Sequence, residues 1–511
     1  MMSLYVASHY KNSPNDLQLM SDAPAHHLFV LLPPIDSSKT ITLPEPLCVI
    51  QICLEGEISK QTILNSLSKG QRANGDLIPW CVSQQFQDED FASLPGARVV
   101  RIATHPDFFG MGYGKRALQL LIDYYEGKMQ NLTNENDNNN NNNDDDDIEV
   151  DSTKEINTIP NESLSLQNEE IKIRDVKTMP PLLLNLNERP LTEHLKWIGV
   201  SYGLTEKLHR FWKKSGFVPV YLRQTSNELT GEYTCIMLRN LIDNNIDNNN
   251  NNNNLSSSIS NSITIKNKSW INDFSSDFHR RFIELLGYQF REFDCKLVLS
   301  ILDAARRGMG KENTRMNIPK INCRSELLRY FSPYDLKRLK SYVNNMLDYH
   351  AILDLIPTIS HNYFLNQLCD IGLSDDPKNN KNTNTTEKKL LNNRVSLSAV
   401  QASILAGIGL QHKTMEDLEK DLGISASQVM ALFMKSLRKI YQYFQSIEEK
   451  DSEEEKEEGS NGTTQRQNIT STKSKFKEST ETTINSNTNS NTNMNTNANV
   501  NGKRNIEDEE A

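Results

Sequence analysis

The stretch Arg101–Leu121, RIATHPDFFGMGYGKRALQLL, constrains the chain more than any other. An apolar run leads into glycines at 110, 112 and 114, and a leucine-rich segment follows. Glycine has no Cβ, so it takes positive φ and lets the backbone approach a ligand. Between a strand and a helix, such a turn aims the unpaired N–H groups of the helix start at an anion. The turn can cradle a phosphate or pyrophosphate, or it is a tight turn with no ligand. Two phosphate loops are excluded. GxxxxGK[ST] fails because Lys115 is followed by Arg116, and GxGxxG fails because position 115 is Lys.

The surrounding pattern is mixed α/β, with strands and helices interleaved. HHLFVLLPP (26–34), LCVIQICLEGEIS (47–59) and ARVVRIATHP (97–106) read as strands, the last stopped by Pro106. Lys115 to Tyr125 reads as a helix with an apolar stripe at Ala117, Leu118, Leu121, Tyr124 and Tyr125. KWIGVSYG (196–203), FVPVYLRQ (217–224) and YTCIMLRN (233–240) are further strands. TEKLHRFWKKSG (205–216) is a helix with Thr205 as N-cap and Gly216 just past its end. From about 266 to 447 the pattern is helical. Thr414 with Asp417, and Ser425 with Gln428, have capping-box spacing, and Gly423 separates two helices. A helix-turn-helix and a plain αα-hairpin both fit that pattern.

Asn runs at 138–143 and 248–254, and an Asn/Thr-rich tail, lack the apolar residues that offset chain entropy. Disorder is expected at about 128–170, in a linker at 243–265, in an insert near 374–394 and in a tail at 448–511. Removing the Asn-rich stretches and the tail leaves roughly 370 residues, enough for two domains, 1–242 and 266–447. The net charge of −10 is uneven. Asp144–Asp147 and Asp451–Glu458 carry much of the acid, while the window 306–340 holds ten Lys/Arg against three acids. Of the seven Cys none forms CxxC or sits with His at zinc spacing, which reads as reduced thiols in an intracellular protein with no metal site. No apolar run approaches a membrane span. The abrupt N-terminus, MMSLYVASHYKNSP, has no signal-peptide core and reads as a fragment or an incomplete gene model.

Gly112 and Gly114 resemble the last two glycines of Q-x-x-G-x-G, the acyl-CoA loop of GNAT-type N-acetyltransferases. Phe109 departs from that motif, which has Gln or Arg at its first position. A fuller resemblance is carried by many stretches in one order. KNSPNDLQLMSDAPAHHLFVLLPP, VIQICLEGEIS, GDLIPW, RIATHPDFFGMGYGKRALQLL, LNERP, GVSYGLTEKLHRFWKKSGFVPVYLRQT and LTGEY resemble the eukaryotic RNA cytidine acetyltransferase family. PYDLKRL, MLDYHAILDLIP and AGIGLQHKT resemble the RNA-binding region that follows in that family.

The resemblance implies an α/β GNAT-like acetyltransferase domain with a mixed sheet, then a mainly α-helical RNA/tRNA-binding domain. It implies that acetyl-CoA is held by Ile102, Ala103, Thr104, Phe109, Gly110, Met111, Gly112, Tyr113, Gly114, Lys115 and Lys214. Lys214 stands where the family shows Arg, keeping the charge and losing the planar fork. The reaction implied is acetyl transfer to the exocyclic amine of cytidine in small-subunit rRNA and some tRNAs, in the nucleus and nucleolus. A tRNA-binding adaptor and the small-subunit processome are the implied protein partners. ATP belongs to a helicase-like module of the family, whose Walker motif is not seen here.

The proton of the amine needs an acceptor, and Glu55, Glu57 and His105 are the candidate bases. Each also has a plain structural reading: glutamates closing a hairpin, and a His fixing a strand end before Pro106. For RNA, Arg306, Arg307, Arg315, Lys320, Lys337 and Arg338 suit phosphate contacts, with Tyr330, Phe331 and Tyr334 interleaved. A solvated basic helix face fits the same residues. His279, Arg280 and Arg281 add a smaller patch. Two other functions share these features: a GNAT enzyme that acetylates protein lysine or other amines, and a non-catalytic RNA-binding scaffold of ribosome biogenesis.

Overall fold

β-Branched and aromatic runs that alternate with capped amphipathic helices assemble here around one mixed sheet. The computed structural model describes residues 1–8, 12–34, 44–70, 75–129, 183–241, 257–310, 320–368 and 395–461. Met1–Glu453 form one unit and Glu454–Ala511 a second. The strands are β1 (His26–Leu31), β2 (Cys48–Glu55), β3 (Gly96–Thr104), β4 (Trp197–Gly203), β5 (Val218–Ser226) and β6 (Tyr233–Asn240). They lie in the order β1-β2-β3-β4-β6-β5. All neighbours are antiparallel except β3 and β4, which run parallel.

The glycine turn feeds α5 (Tyr113–Tyr125), which buries Ala117, Leu118, Leu121, Ile122, Tyr124 and Tyr125. These pack on Ile50, Ile52, Ala97 and Val99 of the sheet. Each fully buried aliphatic side chain contributes about 1.5–3 kcal/mol. α6 (Glu206–Lys214) lies on the same face. Thr205 accepts the N–H of Leu208, and Gly216 ends the helix at φ +84°. The opposite face carries α4 (Leu77–Phe86), whose Ile78 and Val82 meet Trp197, Ile236 and Leu238.

Four short helices precede the glycine turn without a clear signal in the sequence pattern: α1 (Met2–Ser8), α2 (Asn15–Asp22), α3 (Lys60–Ser68) and α4. α1 buries Leu4 and Tyr5 against Val49 and Ala103.

The helical half contains α7 (Ser257–Leu285), α8 (Cys295–Gly308), α9 (Arg324–Tyr330) and α10 (Pro333–Val343). It continues with α11 (Ile356–Phe364), α12 (Ala399–Gly409), α13 (Met415–Leu422) and α14 (Ala426–Asn461). α7 begins inside the stretch read as linker, and α14 runs past the expected start of the tail at 448. Both stretches are poor in apolar residues, and helix propensity does not need an apolar stripe. The expected inserts at about 128–170 and 374–394 lie almost wholly outside the described residues, as does the tail beyond 461. The Thr414–Asp417 capping box forms. Ser425, by contrast, places its Oγ 3.1 Å from Ser427 Oγ.

The two halves share a core. Phe274 of α7 stacks on Phe86 of α4 with ring centroids 4.3 Å apart. Lys213 at the end of α6 donates to Ser300 O and Oγ at 3.1 Å and pairs with Asp303 of α8 at 2.9 Å. No described helix is long and apolar enough to cross a membrane.

Two histidines are buried in this core. His209 of α6 and His279 of α7 are 0% and 2% exposed. Burial first, and then Lys213 beside His209 and Arg306 beside His279, push each ring down to about 4. Folded rings thus stay neutral where unfolded ones, titrating near 6.5, take up protons. Stability is full above about pH 6.5 and falls as pH drops toward 4, by about 3 kcal/mol per ring at the low end. Thermal melts at steps from pH 7.0 to 4.5 should show this loss, and replacing either ring by Gln should make it shallower. A melting temperature flat over that range would contradict the assignment.

Candidate functional site

Parallel pairing of β3 with β4 covers only Gly96–Val99 against Trp197–Val200. Along β2, Gln51 stands opposite Arg101 and Ile52 opposite Val99, so Val100 is a bulge in β3. Bulges bend a strand and raise its twist. Here the bend falls where pairing with β4 stops. Arg101–Thr104 stay with β2 down to the Cys48–Thr104 pair, while β4 continues to Gly203 outside that register. The sheet therefore opens in a V whose vertex is Val99 and Val200. Ile102, Ala103 and Thr104 lie on the departing arm. Ala103 is buried against α1, Ile102 packs on the α5 side, and Thr104 Oγ1 donates to Cys48 Sγ at 3.7 Å.

The closed end of the V is fixed by missing side-chain volume. A Cβ on Gly96 would sit 1.9 Å from the Trp197 ring. The indole is fully buried and donates its N–H to Leu94 O at 3.2 Å.

At the open end the chain turns through Pro106–Phe108, with His105 Nδ1 accepting the Asp107 N–H at 3.3 Å. Gly110 and Gly112 follow at φ +81° and +91°. A Cβ on either would meet nothing within 4 Å, so open space lies above the turn. Gly112 is the N-cap of α5, no side chain caps the helix, and its first bond is Arg116 N–H to Gly112 O. The amides of Tyr113, Gly114 and Lys115 form the open helix end. Gly114 is pressed against the strand: a Cβ there would be 3.0 Å from Thr104 Oγ1.

The charge around this end is reversed. Helix starts favour acids, yet the first turn of α5 has none, and Lys115 and Arg116 are exposed there. Phe109 and Met111 are also exposed, at 82% and 67%. Those features fit an anion with an apolar neighbour. Lys214 is exposed in the last turn of α6, while Lys213 beside it is tied to α8.

The three candidate bases do not converge. His105 lies at the turn end of β3. Glu55 lies at the closed end, opposite Gly96. The two are separated by the eight residues of β2, roughly 25 Å. The Glu55 carboxylate is 1% exposed, accepts the Ile78 N–H at 3.0 Å and pairs with Arg98 at 2.5 Å. It anchors the start of α4. Glu57 is exposed in the following turn at φ +56°.

On the face opposite α5 a cavity of about 590 Å³ lies between α4 and the strands β4, β6 and β5, one residue past the vertex along β4. Ser201, next after Val200, lines it, with Gln85 of α4, Tyr221 and Arg223 of β5, and Thr234 of β6. Sequence reasoning missed these residues. They stand far apart in the chain and only the strand order joins them.

The basic window divides between helices. Arg306 and Arg307 end α8, and both pair with Asp303, at 3.3 and 2.7 Å. Arg338 of α10 is held by Asp335 and Asp354 at 2.6 and 2.8 Å and donates to Ala351 O. It ties α10 to the following segment. Lys337 lies 5.7 Å from the Tyr334 ring centre. Lys320 is described, and Arg315 lies outside the described residues.

Comparison with known proteins agrees with this architecture. The family model "GNAT acetyltransferase 2" matches residues 1–242, and "Possible tRNA binding domain" matches 270–376 and 386–510. A human RNA cytidine acetyltransferase is 49% identical over 89% of this chain and 38% of its own length. The same-named protein of Schizosaccharomyces pombe is 48% identical over 92% of the chain and 39% of its length. That of Saccharomyces cerevisiae is 46% identical over 88% and 38%. The chain thus spans about two fifths of the length of these relatives. With a splayed mixed sheet, a glycine turn at a helix start and a helical region behind them, the chain carries a GNAT acetyltransferase region followed by a possible tRNA-binding region, and over about nine tenths of its length it is similar to proteins named RNA cytidine acetyltransferase.

Proposed function

We propose that the chain transfers the acetyl group of acetyl-CoA to the exocyclic amine of cytidine in RNA. The observation that carries this reading is the V between β3 and β4, closed by Trp197 on Gly96 and ending at the uncapped, cation-flanked start of α5. Acetyl-CoA, when bound, supplies an activated acetyl thioester and a pyrophosphate.

The residues present fit such a group. The amides of Tyr113, Gly114 and Lys115 would hold the pyrophosphate, with Lys214 as a further cation. The edge of β3 from Arg101 to Thr104 would line the arm. The vertex would position the thioester carbonyl, where strand N–H groups stabilise developing negative charge.

The acceptor base would enter the cavity beside Ser201. The exocyclic amine is paired in a duplex, so the base must come from a single strand or be turned out of the stack. Tyr221 offers a ring for the base, and Gln85 and Arg223 offer donors for its polar edge. The amine lone pair is delocalised, so attack, rather than deprotonation, sets the barrier. Once the nitrogen is acylated its proton is strongly acidic, and water would serve as its acceptor. His105 and Glu55 stand at the two ends of the strand pair, away from the vertex.

On the same reading rRNA and tRNA are the substrates, presented by an adaptor protein and the small-subunit processome in the nucleolus. The test is to incubate the chain with acetyl-CoA and single-stranded cytidine-containing RNA, digest to nucleosides and quantify N4-acetylcytidine by mass spectrometry. Acetylcytidine should form, and Tyr221→Ala should lower kcat/KM roughly tenfold through loss of stacking. Acetyl groups found on protein lysines alone, or none at all from a chain that binds acetyl-CoA, would contradict the proposal.

A further inference from the structure

A second cavity, of about 640 Å³, lies where the end of α6 meets the helical half, among α6, α7, α8, α11 and α12. It is separate from the cavity beside Ser201, and no lining residue is common to the two. That size exceeds a nucleotide and sits within the range of ligand sites. Its wall is largely aliphatic, with the ring of Tyr363 among the lining groups. Its charged lining consists of Lys213, Lys296 and Arg306 against the single acid Asp303. Asp303 is already paired with Lys213 and Arg306, so the balance left for a ligand is cationic.

A buried polar group points to a missing partner. Asn366 lines the cavity, is only 5% exposed, and its Nδ2 has no hydrogen-bond partner. A buried unpaired amide costs about 1–3 kcal/mol, a cost that a ligand acceptor removes once the Asn366 side chain turns toward the cavity. Asn366 also sits at φ +60° just past α11, a backbone conformation that Asn tolerates. His279, neutral at physiological pH, adds one donor and one acceptor on the ring. An apolar slot, a few polar groups that read an edge, and cations at the rim are what a flat heterocycle bearing phosphate requires.

We propose that this cavity is a nucleotide subsite that takes one unstacked nucleotide of single-stranded RNA. The base lies in the slot against Asn366 and His279, and its phosphate faces Lys296 and Arg306. The flat ring and phosphate follow from the cavity alone. RNA as their source rests on the function proposed above and on the residues matched by the tRNA-binding family model.

The test uses the full chain, a labelled single-stranded RNA and fluorescence anisotropy. Val400 lines the cavity on α12 and is 42% exposed, so Val400→Trp fills the slot without disturbing the core. Lys296 is exposed, so Lys296→Glu reverses charge at the rim. Each variant should weaken RNA binding about tenfold, the size of one stacked base or one phosphate contact. AMP or CMP should compete with the RNA, and acetyl-CoA affinity should stay within about twofold of wild type, since the cofactor site is elsewhere.

Weakening by Lys296→Glu with Val400→Trp unchanged would reduce the cavity to surface charge and overturn the proposal. Loss of acetyl-CoA binding in Val400→Trp would assign the slot to the adenosine of the coenzyme and overturn RNA as its source. If the wild-type chain binds no RNA, the function proposed above fails separately. The slot is then read by AMP alone: binding that Val400→Trp removes supports nucleotide chemistry, and no binding overturns it.

Discussion

Gly112→Glu should reduce acetyl-CoA affinity at least about a hundredfold while leaving the fold intact. A Cβ at Gly112 meets open space, so the longer side chain has room. The left-handed backbone at φ +91° adds a strain of roughly 1–2 kcal/mol. A carboxylate at the start of α5 is even favoured by the helix dipole. The damage falls on the ligand. The new carboxylate competes for the amides of Tyr113, Gly114 and Lys115, and it repels the pyrophosphate. A like-charge contact at about 4 Å costs about 4 kcal/mol at an effective dielectric of 20, and solvent screening lowers that toward a factor of a hundred. Gly112→Ala carries the strain without the charge and should weaken binding only a few-fold. Titration calorimetry on both variants separates the effects. Equal acetyl-CoA affinity in wild type and Gly112→Glu would show that the turn does not hold the coenzyme.

Gly96→Ala should be among the most damaging single-methyl changes in the sheet. Its Cβ would lie 1.9, 2.2 and 2.4 Å from three atoms of the Trp197 indole. That ring cannot yield easily. It is fully buried, packs 5.4 Å from Phe91, and would lose its hydrogen bond to Leu94 O. Displacing it combines overpacking with partial loss of a buried Trp, a cost of about 3–5 kcal/mol. The function should fall with the fold, because β3 and β4 pair at only four positions and these form the closed end of the V. Trp197→Leu is destabilising alone, but in the double variant the smaller side chain makes room for the methyl. The double variant should therefore be more stable than the sum of the single changes predicts, by about 1 kcal/mol or more. Chemical denaturation of all four proteins measures this coupling. Wild-type stability in Gly96→Ala would contradict the packing described here.

What could be read from residues alone follows the physics of each element. Every strand from β1 to β6 announces itself by β-branched and aromatic runs that end at Pro, Gly or Asn. α5 and α6 carry an amphipathic stripe, and Thr205 and Gly216 mark the two ends of α6. The glycine turn is legible as a turn, because three glycines in five residues stand between a strand and a helix, while its ligand is not, since a tight turn without one fits the same residues. By contrast α4 has no side-chain cap and starts from Asp76 in a left-handed conformation. Its sequence, LIPWCVSQQF, reads as well for a buried strand. Glu55 looks like a free acid in the sequence, and only the fold brings Arg98 and the Ile78 N–H onto it. Arg338 looks available for phosphate until Asp354, sixteen positions on, is placed beside it. The two capping-box spacings around Gly423 are equal in sequence, yet Thr414 forms the reciprocal bonds and Ser425 turns to Ser427. The cavity beside Ser201 comes from strand order, which no local pattern carries.

The most direct test of the central claim, that the V and the turn of α5 form an acyl-CoA site, is isothermal titration of the folded chain with acetyl-CoA and then with desulfo-CoA. Both should bind at micromolar concentration with one site per chain, since the turn reads the pyrophosphate and the strand edge reads the arm. The absence of heat from either ligand, with a chain shown by its thermal melt to be folded, would contradict the assignment.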